Sequence, residues 1–430
     1  MAEPPAAIRK ALRWALLIAG LAGAWSPVQG AGALAPAGSL PGASAGVGPA
    51  AAMASGQASA PVGAAASAPA SALADGLAGP PPRRWIPVPR LRGRLTAADL
   101  GLVVNTADPY SVAVGEHYAA ARGLSPEQVL RIALPIGPHL PPEDFERLRE
   151  AIEAHFGPRT QALALAWVAP YAVACNSITG ALALGLDLGL CSNSCGRSRS
   201  SGWFNAASHR PLQVPGWRPS MLLAAPSVEE AKALIDRGVA ADGSLLAPRA
   251  EPAQVLLLTG PDAPRQVRTR LYPPGPLAPG RGVVWREAPA DTALPGAERL
   301  LIAITGSLAL PLQPAPQWLP GGLGDHLTSF GGDLLGGHGQ ATALAWIASG
   351  ATASHGTVSE PCNHLQKFPH PQVLLGHYLQ GATALEAYWR SVLWPQQSLF
   401  MGEPLAAPFA PPFTPPLAPR PAARVPPPPR

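Results

Sequence analysis

The chain has 430 residues, 55 of them proline and 45 glycine, a density of backbone breakers that excludes a coiled coil or helical bundle along the whole length. Its formal net charge is +5. Residues 1–90 carry six basic and two acidic side chains and residues 403–430 three and one, which leaves 91–402 at −1; the positive charge belongs to the ends, and a core without a basic excess is not expected to bind nucleic acid.

The chain opens with Arg9, Lys10 and Arg13 ahead of twelve apolar residues, 14–25, and small residues around 30–33. This is the pattern of a secretory signal over residues 1–30, too short for the roughly 20 residues of a spanning helix. With no other long apolar run, no membrane span is expected once the signal is removed. Residues 31–90 read as a linker. Ala, Gly, Pro and Ser fill 43 of the 52 positions from 31 to 82, and such a segment buries too little apolar area to offset an ordering cost of about 1–2 kcal/mol per residue.

The core, 91–406, alternates strand and helix. LGLVVN (100–105) is a short apolar run suited to a strand buried on both faces. Asp108-Pro109 starts a helix that ends at Gly123. A strand over 129–134, an amphipathic helix with Phe145, Leu148, Ile152 and Phe156 on one face, and a strand over 161–168 follow. After an irregular, Cys-bearing stretch come a strand over 220–225 and a helix opened by the capping box Ser227/Glu230. Strands over 254–259, 282–287 and 300–305, with a helix from 262 to 271, complete the rhythm before helices near 340–349 and 384–393. GLGDHLTSFGGDLLGGHG (322–339) reads as tight turns around a short helix. Strands separated by helices imply right-handed crossovers, hence a three-layer α/β fold with a mainly parallel sheet, helices on both faces and disordered tails. From 407 to 430 the chain is proline-rich and reads as an extended tail.

Ligands of open parallel sheets bind outside the carboxyl ends of the strands, which puts Asn105, Thr106, Asp108, Tyr171, Thr305 and Ser307 in view. For Asp108 the plainer reading, a helix cap, is favoured over a ligand contact. Six of the ten histidines fall between 326 and 377, among Asp325, Asp333, Glu360 and Cys362, residue types suited to acid/base chemistry. No HExxH pair, dinucleotide fingerprint or P-loop is present, so no metal and no cofactor is expected. The even count of Cys175, Cys191, Cys195 and Cys362 in an exported chain favours disulfides. Cys191 with Cys195 and Cys175 with Cys362 is one of three possible pairings. Left free, Cys362 would be a candidate nucleophile near His364 and His355.

The blocks VVNTADPYSVAVGEHYAAARGL, DHLTSFGGDL, GATASHGTVSEPCNHLQKFPHPQVLL and LEAYWRSVLWPQQSLFMGEPLA resemble an uncharacterised family of exported bacterial proteins, over about residues 96–409. The resemblance implies roles for Asn105, His326 and Glu360, with Asp325 and Lys367 beside them; the family pattern has an apolar residue where this chain has His355. The α/β rhythm also resembles the caspase/gingipain type of cysteine peptidase, which places His-Gly after one strand and Cys after the next. Here Thr305-Gly306 stands at the first place, and no Cys at the second.

The resulting expectation is an exported α/β protein that binds a ligand or a partner of unknown kind. The alternative is a divergent hydrolase using His326 or His355 with Cys362 or Asp325. A third reading is an envelope component held by its tails.

Overall fold

In the computed structural model the described residues are 82–213, 217–247, 251–275, 282–336 and 338–410. The expected signal, most of the linker and the tail from 411 lie outside them.

β1 (Leu100–Asn105) is buried along its whole length, as its unbroken apolar run requires. α1 (Pro109–Arg122) begins where the Asp108 carboxylate accepts from the Tyr110 N–H, and it ends at Gly123, φ 63°. β2 (Val129–Ile132), α2 (Pro142–His155) and β3 (Ala162–Leu165) follow. The irregular stretch holds a two-stranded ribbon, β4 (Ala172–Val173) and β5 (Asn176–Ser177), then α3 (Ile178–Leu184) and the single turn α4 (Gly189–Ser192). β6 (Ser220–Leu222) leads into α5 (Val228–Ala241), with the Ser227 hydroxyl accepting from the Glu230 N–H. β7 (Ala253–Thr259), β8 (Val283–Pro289), α6 (Ala290–Ala293) and β9 (Leu300–Gly306) come next. The helix expected at 262–271 is a 3-10 helix, Ala263–Leu271.

The largest departure from expectation is β10 (Trp318–Leu327), a ten-residue strand in a segment that reads as turns. Its glycines make room rather than bend the chain: a Cβ on Gly324 would lie 2.5 Å from the Trp346 indole. α7 (Ala343–Ala348), β11 (Ala353–Thr357), α8 (Pro371–Tyr378), α9 (Ala384–Ser391) and β12 (Ser398–Gly402) complete the core.

The ten-stranded sheet has the order β2-β1-β3-β6-β12-β11-β10-β9-β7-β8. Pairing is parallel throughout β2-β1-β3-β6 and β11-β10-β9-β7-β8. β12 runs antiparallel to β11, Ala353 facing Gly402 and Thr357 facing Ser398. It touches β6 through one bridge, Met401 to Leu222, with a hydrogen-bond pattern of the parallel kind. Chain direction there is set more firmly by the surroundings. Arg122 and Asp242, at the carboxyl ends of α1 and α5, meet Glu403, just after β12. Arg237 of α5 donates to the carbonyls of Ile347 and Ala351, at the entry to β11. A helix following a parallel strand returns to the amino edge, so the amino edges of both parallel blocks coincide. Their carboxyl edges coincide too, and β12 is the one strand of the sheet that runs the other way.

Alternation along the strands sorts the two faces. Gly324 and His326 face Trp346 of α7, and α5 packs with α1 on that side. Asp325 and His355 face the other way. There Phe400 lies 5.4 Å from His355 and 4.5 Å from Trp389 of α9, ring centre to ring centre. With helices on both faces, the molecule has three layers.

A candidate functional site at the carboxyl edge

At the carboxyl edge the loops after β3, β7, β9, β10 and β11 converge, and both disulfides lie among them. Cys175 pairs with Cys191 and Cys195 with Cys362. This corrects the Cys191–Cys195 alternative and removes Cys362 as a thiol nucleophile. The first closes a loop within the stretch after β3, and the second staples that stretch to the loop after β11. Ser359 adds to them, donating to the Cys175 carbonyl at 2.8 Å and accepting from Gln397 at 2.8 Å.

Beneath the edge lies a buried polar layer. Arg268, from the 3-10 helix after β7, is 2% exposed. It pairs with Asp325 and donates to the carbonyls of Thr305 at 2.7 Å and Pro369 at 3.4 Å. His355 is buried with its Nδ1 3.4 Å from the second Asp325 oxygen, without hydrogen-bond geometry. Burial alone would raise the Asp325 pKa; Arg268 and His355 outweigh it and hold the carboxyl below its ordinary value. Burial lowers His355 despite the pull of Asp325. The layer is therefore an arginine–aspartate ion pair beside a neutral imidazole. Asp325 Oδ2, Arg268 Nε, Thr305 Oγ1 and both His355 nitrogens have no hydrogen-bond partner.

His326, on the opposite face, has both ring nitrogens engaged. Trp346 Nε1–H can only donate, so it fixes His326 Nδ1 as acceptor at 2.9 Å. The proton then sits on Nε2 and goes to the Ala341 carbonyl, also at 2.9 Å. Burial lowers this histidine to about 4. A ring so held joins β10 to α7 and has no nitrogen left for acid/base work.

The remaining sequence candidates are placed individually. Asn105 is buried; its side-chain oxygen accepts from the N–H of Leu134 at 2.9 Å and of Ala107 at 3.1 Å, and its amide donates to the Leu134 carbonyl at 3.2 Å. It splices the loop after β2 to the end of β1. Asp108 is a helix cap, 3.0 Å from the Tyr110 nitrogen. Glu360 accepts from the Cys362 N–H at 2.8 Å, shaping a turn in which Cys362 and Asn363 both have positive φ. Lys367 is buried, donates to the Ser194 carbonyl at 2.6 Å, and is lowered to about 8 by burial, against Glu360. Of these candidates the structure gathers Thr305, Asp325 and His355 into one cluster.

The rim contains a second constellation. Tyr171, from the loop after β3, donates its hydroxyl to Asp333, and the other Asp333 oxygen lies 3.0 Å from His338 Nε2. The His338 ring stacks on Phe330 at 3.8 Å and its side chain is 47% exposed. Burial, then Asp333, raises the Tyr171 hydroxyl far above its ordinary value. Nearby, Gln340 accepts from Thr328 and from the N–H groups of Ser329 and Phe330, while Arg265 bridges Asp262 and Thr328. Sequence reading notes Asp333 and His338 only as members of a histidine-rich stretch. Arg268 carries no sequence signal at all, being one of several arginines on a short helix. Among the described residues no group of three His, Cys, Asp or Glu side chains could hold a metal ion, and no helix is long and apolar enough to cross a membrane.

No protein-family model matches the chain, and no curated protein is similar to it. A solved structure described as "Structure of Protease" aligns over 73% of this chain and 79% of its own, at 11% identity and a TM-score of 0.38. A likeness that distant bears on neither mechanism nor substrate.

Proposed function

We propose that this is an exported binding protein whose disulfide-stapled carboxyl edge presents a ligand-binding rim, and that it performs no thiol chemistry. The observation that carries the reading is the state of the four cysteines: all are in disulfides, and both disulfides brace the loops of this edge. Two disulfides fit an oxidising compartment and so support export. The acid/base candidates fit the same reading. His326 is held at both nitrogens, and Asp325 is locked on Arg268 beneath the surface. What the rim leaves open is the stacked Phe330–His338 surface with Asp333 behind it, suited to a small polar ligand with a flat face. Thiol titration of the native and the urea-unfolded protein without reductant tests this. No reactive thiol is expected in either state; one thiol per chain reacting in the native state would overturn it.

One observation favours a second reading, a hydrolase without cysteine. In the Tyr171–Asp333–His338 chain the carboxylate orients an exposed imidazole, as a general base requires. Hydrolysis of a fluorogenic ester or peptide panel, abolished in Asp333→Asn and retained after iodoacetamide, would establish it. A panel that stays uncleaved leaves binding as the function.

A further inference from the structure

Residues 83–92, RRWIPVPRLR, run from the end of the expected linker into the start of the core, and they lie along α8 in a strap with no regular secondary structure of its own. Two glutamines hold it by its backbone. Gln372, in the first turn of α8, accepts from the Ile86 N–H at 2.9 Å and donates to the Arg84 carbonyl at 3.1 Å. Gln380, just past the helix, accepts from the Leu91 N–H at 3.1 Å and donates to the Pro89 carbonyl at 3.3 Å. Between them Asn205 donates to the Pro87 carbonyl at 2.9 Å, and is itself positioned by His377 at 3.1 Å. From Ile86 to Leu91 the strap therefore advances five positions, while the helix side advances eight from Gln372 to Gln380. Eight helical residues span about 12 Å and five residues of polyproline conformation about 15 Å, so the strap follows a nearly extended path.

Along α8 an N–H is taken at Ile86 and Leu91, and beyond the helix the Arg92 N–H donates to the Ala207 carbonyl at 3.2 Å. Pro87 and Pro89, which have none, fall where only carbonyls are read. Side chains add selectivity. Arg83 pairs with Glu287 and lies over the Tyr272 ring at 5.8 Å. Trp85 meets Trp285 edge-on at 5.6 Å. Val88 fills the space over Gly376, where a Cβ would come within 2.9 Å of it. Aromatic rings and carbonyl-reading amides along one track are how pre-extended proline segments are recognised, because such ligands lose little entropy on docking.

The strap is also separable from the core. Gly93, at φ 132°, turns the chain immediately before Leu95, which is wholly buried. Everything before Gly93 can leave α8 without disturbing β1.

We propose that the groove along α8 is a recognition site for extended, proline-bearing peptides with an arginine and a tryptophan ahead of the prolines, and that the strap is its built-in occupant. Tethering gives the strap a high effective concentration, so a free peptide of the same chemistry binds only when the strap is weakened. The test uses the full chain carrying Trp85→Ala and Val88→Asp, with a fluorescently labelled peptide RRWIPVPRLR as probe. The peptide is expected to bind the strap variant at least about tenfold more tightly than the unaltered protein. Adding Gln372→Ala and Gln380→Ala should reverse that gain by a similar factor, since each removes paired hydrogen bonds. The same peptide N-methylated at the positions of Ile86 and Leu91 should fail to bind the strap variant, a readout independent of how the glutamine variants fold. No binding to a strap variant that melts normally, equal binding to the unaltered chain, or full binding of the methylated peptide would each overturn the proposal.

Discussion

Two buried charge clusters sit at opposite levels of the same sheet, and they are built differently. Toward the amino edge, Arg122 uses all three guanidinium nitrogens: Nε and Nη2 on Glu403, at 2.9 and 2.6 Å, and Nη1 on Asp242 at 2.6 Å. Tyr118 donates to Glu403 at 2.9 Å, and the other Asp242 oxygen accepts from the Ala407 N–H at 3.2 Å. Toward the carboxyl edge, Arg268 and Asp325 pair, but Nε, one carboxylate oxygen, the Thr305 hydroxyl and both His355 nitrogens make no hydrogen bond. A satisfied cluster fastens elements together; it joins α1 and α5 to the strand exit at Glu403. An unsatisfied one leaves buried polar groups whose desolvation is uncompensated. The difference marks the amino edge as the anchor and the carboxyl edge as the place where stability has been given up.

The largest expected effect tests the anchor. Glu403→Ala leaves Arg122, 7% exposed, buried with its main partner gone, and should cost about 3–5 kcal/mol. Urea unfolding measures it. A loss below about 1 kcal/mol would show that the amino-edge cluster is not a fastener, and the contrast would collapse.

Next in size is the response to acid. His326 is lowered from 6.5 to about 4 by burial, and His355 is lowered as well. Above pH 6.5 these rings are neutral in both folded and unfolded chains, and stability is undiminished. As pH falls from 6.5 toward 4, the unfolded chain takes up protons that the folded one does not. His326 alone should then lose about 3 kcal/mol of stability by pH 4. His370, lowered by burial to about 4, acts in the same direction. The amino-edge cluster contains no imidazole, so the acid-sensitive groups are those of β10, β11 and α8, where His377 in the last turn is lowered to about 3 by burial. A urea midpoint that stays constant between pH 6.5 and 4 would contradict this.

How legible all this is in the sequence follows the same division. β1, β3, β7 and β9 are plain in the sequence because a strand buried on both faces must be a continuous apolar run, and α1, α5 and α9 carry their caps openly. β10 is hidden. Its Gly322 and Gly324 read as turn residues, whereas they exist to let Trp318 and Trp346 lie against the strand. Asp325 and His326 read as surface chemistry and are instead buried on opposite faces. Arg268 cannot be found in advance, because nothing local distinguishes an arginine that folds inward onto a carboxylate 57 residues away. The strap at 83–92 is hidden for a related reason: its partners are two glutamine side chains nearly 300 residues distant.

A third test sharpens the comparison from the other side. His355 is wholly buried between Phe368 and Phe400, with neither nitrogen in a hydrogen bond and its Nδ1 3.4 Å from Asp325. His355→Leu removes two unsatisfied polar atoms and should stabilise the protein by about 1–2 kcal/mol, while flattening part of the acid dependence. This is the opposite sign to Glu403→Ala, although both positions are fully buried. A loss of more than about 1 kcal/mol would mean that His355 is satisfied in solution, and the carboxyl-edge cluster would then be an anchor too.

The smallest effect separates edge position from edge function. Asp108 stands at the carboxyl end of β1, where ligand-binding residues of parallel sheets are found, yet its carboxylate accepts from the Tyr110 N–H at the start of α1. Asp108→Ala should cost about 1 kcal/mol, the worth of a helix cap, and Asp108→Ser should recover most of it, since a serine hydroxyl can accept the same bond. Charge plays no part in that expectation. If Asp108→Ser instead loses as much as Asp108→Ala, the carboxylate itself matters, and the first parallel block, like the second, holds a charge for something other than folding. Thermal unfolding of the two variants side by side decides between a cap and a charge.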